Sequence, residues 1–450
     1  MRASFLVRPF MHTLDQLRRG ELSDITRLDL SAGLNEFPRE IFDLADSLEV
    51  LNLSGNQLRS LPADLPRLHK LRILFCSENP FHELPEVLGQ CSQLEMIGFK
   101  SCQIERVSAA ALPERLRWLV LTDNRIPSLP AALGDCSRLQ KLMLMLAGNQ
   151  LETLPSSLAD CQNLELLRIA ANRLQSLPGW LMTLPKLAWL AYAGNPFVAP
   201  QETAPLHHVI PRSNLVLGEM LGQGASGIIH RAQWQRDNQP GRPMAVKLFK
   251  GHITSDGLPQ SEMAACLQAG EHPNLISVAG LLETQANAPA GLLMELIDPA
   301  FTPLAGPPSL NSCTRDSYAE GTRFTLEAAL RITRGTASAI SQLHARGILH
   351  GDLYAHNLLV NPEAHSLLGD FGAASLFDPH SSSGQALQRI EARAFGNLLE
   401  ELLQHCAAHD QPELKESLKN LSKHCTQAIV MQRPTFAQIL EGLTSSQEHT

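Results

Sequence analysis

The sequence predicts two folds in one chain, an α/β solenoid of short stacked repeats followed by an α+β domain. Two observations carry this. An Asn position recurs through the first half at a near-constant step, and beyond it a glycine-rich turn joins two strand-like segments. Between them, residues 199–213 hold three prolines and no repeat pattern. At 450 residues the chain is also too long for one ordinary core.

The repeat is clearest in the segment from Leu48 to Leu58, which reads LxxLxLxxNxL. Its Asn position returns at Gly33, Asn56, Asn79, Cys102, Asn124, Asn149, Asn172 and Asn195, in steps of 23, 23, 23, 22, 25, 23 and 23 residues. One repeat cannot bury its leucines alone, whereas a stack buries them in a continuous core. The Asn side chain suits the turn that leaves each strand, where it can bond backbone groups. Leu-Pro pairs such as Leu84-Pro85 and Leu154-Pro155 start the convex side, where proline is tolerated in a first helical turn. The 25-residue step comes from Leu142–Leu146, two residues longer than the template, and predicts a bulge.

Residues 10–24 read as an amphipathic helix closing the start of the array. Of nine cysteines, Cys91, Cys136 and Cys161 each lie three residues before the first Leu of a repeat. That placement reads as a small buried position copied by the repeat rather than a metal or disulfide set, and reduced thiols suit the cytosol. Six residues before each Asn position stand Val50, Ile73, Met96, Trp118, Met143, Leu166 and Trp189, alternating with the buried leucines. An outward apolar column of this kind would suit a protein partner or the second domain; the alternative is a column half buried among its own repeats. This half resembles the short, Leu-Pro-containing class of intracellular leucine-rich repeats, which implies protein recognition.

In the second half, the strand ending at Met220-Leu221 runs into Gly222-Gln-Gly224-Ala-Ser-Gly227, and Ile228-Ile229 returns as a strand. A dinucleotide site would open a helix at that point. Lys247 then lies inside the apolar strand Ala245-Val246-Lys247, where it needs an anion.

From here the motifs resemble the protein-kinase family, in order, over about residues 214–446. The resemblance implies a bilobal α+β domain that binds ATP and Mg2+. Gly222, Gly224, Gly227, Ile229 and Ala245 would enclose the nucleotide. Lys247 would hold its phosphates, and Glu262, in a helix, would pair with that lysine. Met294, Glu295 and Leu296 match the adenine hinge, with Met294 as gatekeeper. His350-Gly351-Asp352-Leu-Tyr-Ala-His-Asn357 matches the catalytic loop, with Asp352 as the proton acceptor and Asn357 as a metal ligand. Asp370 in Asp370-Phe371-Gly372 would be the other metal ligand. The segment from Glu391 resembles the central helix of the second lobe, and Cys425 to Arg433-Pro434 the closing helices. Phosphoryl transfer needs cations on the phosphates and an aligned nucleophile, which these residue types supply.

The departures are specific. Gly351 replaces the Arg that reads an activation-loop phosphate. Tyr354 replaces the Lys common in serine/threonine kinases. Only 21 residues separate Asp370 from Glu391, where the family places an activation loop, a docking loop and an Ala-Pro-Glu motif, and none of that motif is present. Arg433 would pair with the missing Glu, and Glu391 or Glu400 is the expected substitute. Ser381-Ser-Ser383 reads as a polar loop.

The whole chain resembles bacterial leucine-rich-repeat protein kinases. The expected divisions are a capping region at 1–24, repeats over 25–198, a stiff linker at 199–213 and the kinase domain over 214–447. The expected activity is phosphoryl transfer from ATP to a protein hydroxyl, of the serine/threonine type, with the repeats recruiting a partner or substrate. The alternatives are a pseudokinase scaffold and a small-molecule kinase. A composition 44% hydrophobic and 18% charged is that of a globular protein. A net charge of −8 argues against a nucleic-acid binder. No apolar run spans a membrane, and Arg8-Pro9 interrupts the short apolar start, so a cytoplasmic protein is expected.

Overall fold

Leucines spaced for one strand per repeat produce strands of three to five residues: β1 (Arg27–Asp29), β2 (Val50–Asn52), β3 (Ile73–Phe75), β4 (Met96–Gly98), β5 (Trp118–Val120), β6 (Leu142–Met145) and β7 (Leu164–Arg168). The computed structural model describes residues 11–138, 142–198, 209–224, 226–235, 240–251, 253–254, 256–286, 288–407 and 411–448. The chain divides into two compact units, Met1–Trp180 and Leu181–Thr450.

In the first unit, β1 to β7 pair in sequence order and in parallel. Leu51, Leu74, Ile97, Leu119, Leu144 and Leu167 are fully buried behind them. Asn79 shows how the turns are held: Nδ2 donates to Leu53 O (2.9 Å) and Cys76 O (3.0 Å), and Oδ1 accepts from Leu58 N–H (2.8 Å). Leu53 O also accepts from Asn56 at 2.8 Å, so successive asparagines share carbonyls in a ladder. At the position where Cys102 replaces Asn, its thiol points at Cys76 O (3.5 Å), a weaker donor in the same place.

The convex side is built of 3-10 turns rather than α-helix. Pro38, Pro85 and Pro155 stand at the N-caps of Arg39–Leu44, Glu86–Gln90 and Ser156–Asp160. The expected bulge is present as a register shift between Leu142 and Met143. Cys91 and Cys161 are buried thiols outside any disulfide, as their place in the repeat predicts. The side chain of Cys136 lies outside the described residues.

One expectation needs correction here, and one open alternative is decided. The helix expected over 10–24 is only α1 (Leu14–Arg18), opened by a Thr13–Gln16 capping box and ended before Gly20, whose φ is +69°; residue 10 lies outside the description. The apolar column is not an exposed surface. Ile73, Met96, Met143, Leu166 and Trp189 are buried, while Val50 and Trp118 are half-buried. From Val50 to Leu166 the members are register partners on adjacent strands, about 4.8 Å apart, so each covers its neighbour. The ring of Trp118 reaches along the sheet to Met145, with Nε1 3.3 Å from its sulfur.

The second unit opens with β8 (Trp189–Ala191), the last strand of the repeat pattern. Of the linker, residues 199–208 lie outside the description. Its end is not a spacer: β9 (Val209–Ile210) pairs in parallel with β13 (Val278–Leu282). The remaining strands of that sheet are β10 (Leu215–Gln223), β11 (Gly227–Trp234), β12 (Arg242–Phe249) and β14 (Gly291–Glu295), in the order β10-β11-β12-β14-β13-β9. Its core is Ile210, Ala232, Trp234, Met244, Val246, Leu282 and Leu293. The helix α2 (Pro259–Ala269) packs on this sheet.

The helical half holds α3 (Leu326–Ala345), α4 (Ser382–Gln404), α5 (Pro412–Cys425) and α6 (Phe436–Glu448). The helix α4 runs through its middle, burying Phe395, Leu398, Leu399 and Leu402. Ser381 is its N-cap, accepting from Gly384 N–H, so the three serines start a helix and are not a loop.

Candidate active site

Alternation on β12 turns Met244 and Val246 into the sheet core and leaves Ala245 and Lys247 on the other face. Ala245 is the register partner of Met294, and Lys247 of Ile229 and Leu292. The adjacent β10–β11 turn carries the glycines. A side chain at Gly222 or Gly224 would meet nothing within 4 Å, whereas a Cβ at Gly227 would lie 2.6 Å from Leu248 O. Gly227 is therefore required by the backbone of β12, and the other two leave open space beside the loop. Ala225 lies outside the description.

Lys247 and Glu262 form a direct ion pair, and both are almost wholly buried. Burial works against a charged Lys247, but the carboxylates of Glu262 and Asp370 outweigh it and raise its pKa. The second oxygen of Glu262, Oε2, is buried without a protein partner. Asp370 is exposed at φ +52°, a left-handed conformation costly for a non-glycine residue, and accepts from Gly372 N–H at 3.3 Å. The neighbouring Phe371 turns inward against His350, ring centres 5.2 Å apart.

The loop from His350 to Asn357 is held from behind. Asp352 takes a hydrogen bond from Asn357 Nδ2, which donates to its main-chain oxygen and to Oδ2, both at 2.8 Å. With Nδ2 so committed, Oδ1 is the Asn357 atom with the chemistry to meet a cation. His350 bonds Gly369 O at 2.9 Å and so ties the loop to the segment holding Asp370. Glu391, fully buried on α4, accepts from Gly351 N–H at 2.6 Å, His350 N–H at 3.3 Å and His344 Nε2 at 2.7 Å.

Glu391 is thus engaged with the loop and not with Arg433, correcting the expected pairing. Glu400 meets Arg315 at 3.9 Å. Arg433 instead donates to three carbonyls, those of Gln427 (2.8 Å), Arg389 (3.3 Å) and Pro185 (2.7 Å). Burial, with the like charge of Arg393, lowers its pKa to about 9. The sequence reading also missed His356, whose Nδ1 lies 2.7 Å from buried Asp316. Burial disfavours its charge, and the Asp316 carboxylate overcomes that and raises its pKa. Only its place beside Asn357 could have marked it; Asp316 sits in a loop with no motif.

Among the described residues no cluster of three or more His, Cys, Asp or Glu forms a ready metal cage. A magnesium ion fits the donor set that is present, Asp370 and the Asn357 amide oxygen, because this ion keeps waters and phosphate oxygens as its other ligands. Met294, Glu295 and Leu296 are half-buried at the end of β14, where Glu295 binds Arg242 at 2.8 Å.

Residues 215–394 match the family model described as protein tyrosine and serine/threonine kinase, and residues 47–68 match the leucine-rich repeat. The serine/threonine-protein kinase PkaA of Streptomyces coelicolor is 33% identical over 182 residues, 37% of this chain and 31% of its own length. PknA of Mycobacterium tuberculosis, also a serine/threonine-protein kinase, is 30% identical over 182 residues, 38% of each chain. The human non-receptor tyrosine-protein kinase TNK1 is 30% identical over 185 residues, 40% of this chain and 26% of its own. The chain thus spans well under half the length of these relatives. It carries leucine-rich repeats and a protein kinase domain.

Proposed function

We propose that this chain is a protein kinase of the serine/threonine type that transfers the γ-phosphoryl group of ATP to a protein hydroxyl with Mg2+. The observation that carries this is the buried Lys247–Glu262 ion pair on the face of the sheet beside the glycine-rich turn. In this reading Lys247 neutralises the ATP phosphates, held in place by Glu262. Gly222, Gly224, Gly227, Ile229 and Ala245 enclose the nucleotide, and Met294, Glu295 and Leu296 hold adenine. Asp352 accepts the proton of the attacking hydroxyl, with its carboxylate fixed by Asn357. Asn357 and Asp370 are the metal ligands, and bound magnesium supplies positive charge to the phosphates.

The serine/threonine assignment is supported by the names of the two bacterial relatives. We assign the repeats a role in protein recognition, supported by the leucine-rich-repeat match. No helix among the described residues is long and apolar enough to cross a membrane; we place the protein in the cytoplasm, a compartment that suits cysteines used as small buried repeat positions, as Cys91 and Cys161 are.

The test is radiolabelled ATP with the full chain, alone and with a mixture of candidate protein substrates, for wild type and Asp352→Asn. Label on serine or threonine that disappears in the variant is the expected result. Label on tyrosine overturns the acceptor class. No label under any condition, with nucleotide still bound, leaves the pseudokinase reading in its place.

A further inference from the structure

The segment after Asp370 is too short to do what it does elsewhere in the family. Only eleven residues, Phe371 to Ser381, separate it from α4. They form a short strand, Ser375–Leu376, which pairs antiparallel with Ile348–Leu349, and then turn into the helix. No docking loop is left to pack against the catalytic loop.

Residues 185–193, the end of the repeat pattern, occupy that ground, and they belong to the same compact unit. The Trp189 indole lies parallel to the Tyr354 ring, centroids 4.3 Å apart and 6° from coplanar. Its Nε1–H donates to Leu353 O at 2.9 Å. Tyr192 and Ala193 both donate their N–H to Ser375 Oγ, at 3.0 and 3.1 Å, and the Tyr192 hydroxyl donates to Leu376 O at 3.1 Å. Pro185 O receives Arg433, the residue whose usual carboxylate partner is absent. At Gly351 the φ is +73°, and a Cβ would lie 2.6 Å from Leu190 O. A side chain such as the phosphate-reading Arg has no room there: Leu190 O closes one side, Ala373 O at 2.8 Å closes another, and the positive φ itself favours glycine. These contacts join a single segment to the catalytic loop, to the strand after Asp370 and to the closing helices.

We propose that residues 185–193 are a built-in positioning element for the catalytic loop, replacing the docking segment that this chain lacks. The loop is then held in its working conformation without phosphorylation of the residues after Asp370. Trp189 and Tyr192 are positioning residues; neither touches the transferred group. The proposal rests on the kinase reading for its kinetic consequence, but its structural claim is separable.

The experiment uses the full chain as wild type, Trp189→Ala, Trp189→Phe and Ser375→Ala. Hydrogen exchange over residues 350–357 reads the positioning without any turnover. Exchange there should quicken about tenfold in Trp189→Ala, while β12 stays protected. In the transfer assay kcat should fall about tenfold or more with KM for ATP within about twofold, since loop misplacement affects alignment rather than nucleotide binding. Trp189→Phe keeps a stacked ring and loses the indole N–H, and should fall between. Phosphatase treatment of the wild type should leave kcat unchanged. Wild-type exchange in a folded Trp189→Ala, or a tenfold loss of kcat on phosphatase treatment, overturns the proposal. Should Trp189→Ala not fold, Ser375→Ala, which removes the acceptor for two N–H groups, decides by the same exchange reading. A wild type without turnover refutes the kinase reading alone, because the exchange comparison still stands.

Discussion

The asparagine ladder and the catalytic loop are both held by side chains bonded to main-chain groups, yet they differ in where the partners come from. Asn124 donates to Phe99 O and Leu121 O, 25 and 3 residues away, and Asn56, Asn79, Asn149 and Asn172 likewise reach 26 to 28 residues and 3 residues back. The loop takes its partners from 40 residues away at Glu391 and 164 residues away at Trp189. The ladder is a local rule applied many times, so its support is distributed. The loop is a single assembly of distant segments, so the loss of one member falls directly on the placement of Asp352 and Asn357.

The comparison can be broken from either side. The largest effect is expected at the site: Asp370→Asn should cut magnesium-dependent transfer by about 10²-fold or more while leaving the unfolding midpoint nearly unchanged. Unaltered turnover would remove Asp370 from the metal site. In the ladder, Asn124→Ala strips three buried backbone groups, Phe99 O, Leu121 O and Ile104 N–H, of a shared partner. Urea unfolding should show a loss of about 2–4 kcal/mol for this change, with kcat per folded molecule preserved.

Glu391→Gln tests both kinds of support together. The Glu391 pKa is lowered from 4.5: burial opposes the charge, and the bonds from His344 and the loop amides overcome it. A lowered folded value means that the carboxylate's stabilisation is complete above pH 4.5 and is lost as the pH falls through the depressed value. The variant should therefore be about 1–3 kcal/mol less stable at neutral pH, with the gap closing below the ordinary carboxylate range. A gap that does not change with pH would show that charge is not what Glu391 contributes. The smallest effect should come from repairing the ladder. Cys102→Asn replaces a thiol 3.5 Å from Cys76 O with an amide donor and should add about 0.5–1 kcal/mol to stability, with no change in transfer.

Much of this was legible beforehand for the same reason that the ladder is robust. The leucine and asparagine period set the strands, their order and even the irregularity at Leu142–Met143, because a fixed interval in sequence becomes a fixed neighbour in a solenoid. The placement of Lys247 on β12 and Glu262 on α2 followed from motifs that encode their own local structure. The apolar column kept two readings open, because alternation tells which face a residue takes, not what covers that face; the buried and half-buried side chains bear out the one in which its own repeats cover it. The partner of Arg433 was misread because its guanidinium found carbonyls, which every residue carries and no motif marks.

By itself the sequence determined the two folds, the repeat period and the chemical identity of the groups at the site. Only the tertiary structure decided that Glu391 secures the catalytic loop, that Asp316 holds His356, and that Trp189 lies against Tyr354. Periodicity and motif spacing describe residues that meet close along the chain. Contacts made across 40 to 184 residues are fixed by packing, which no local pattern records.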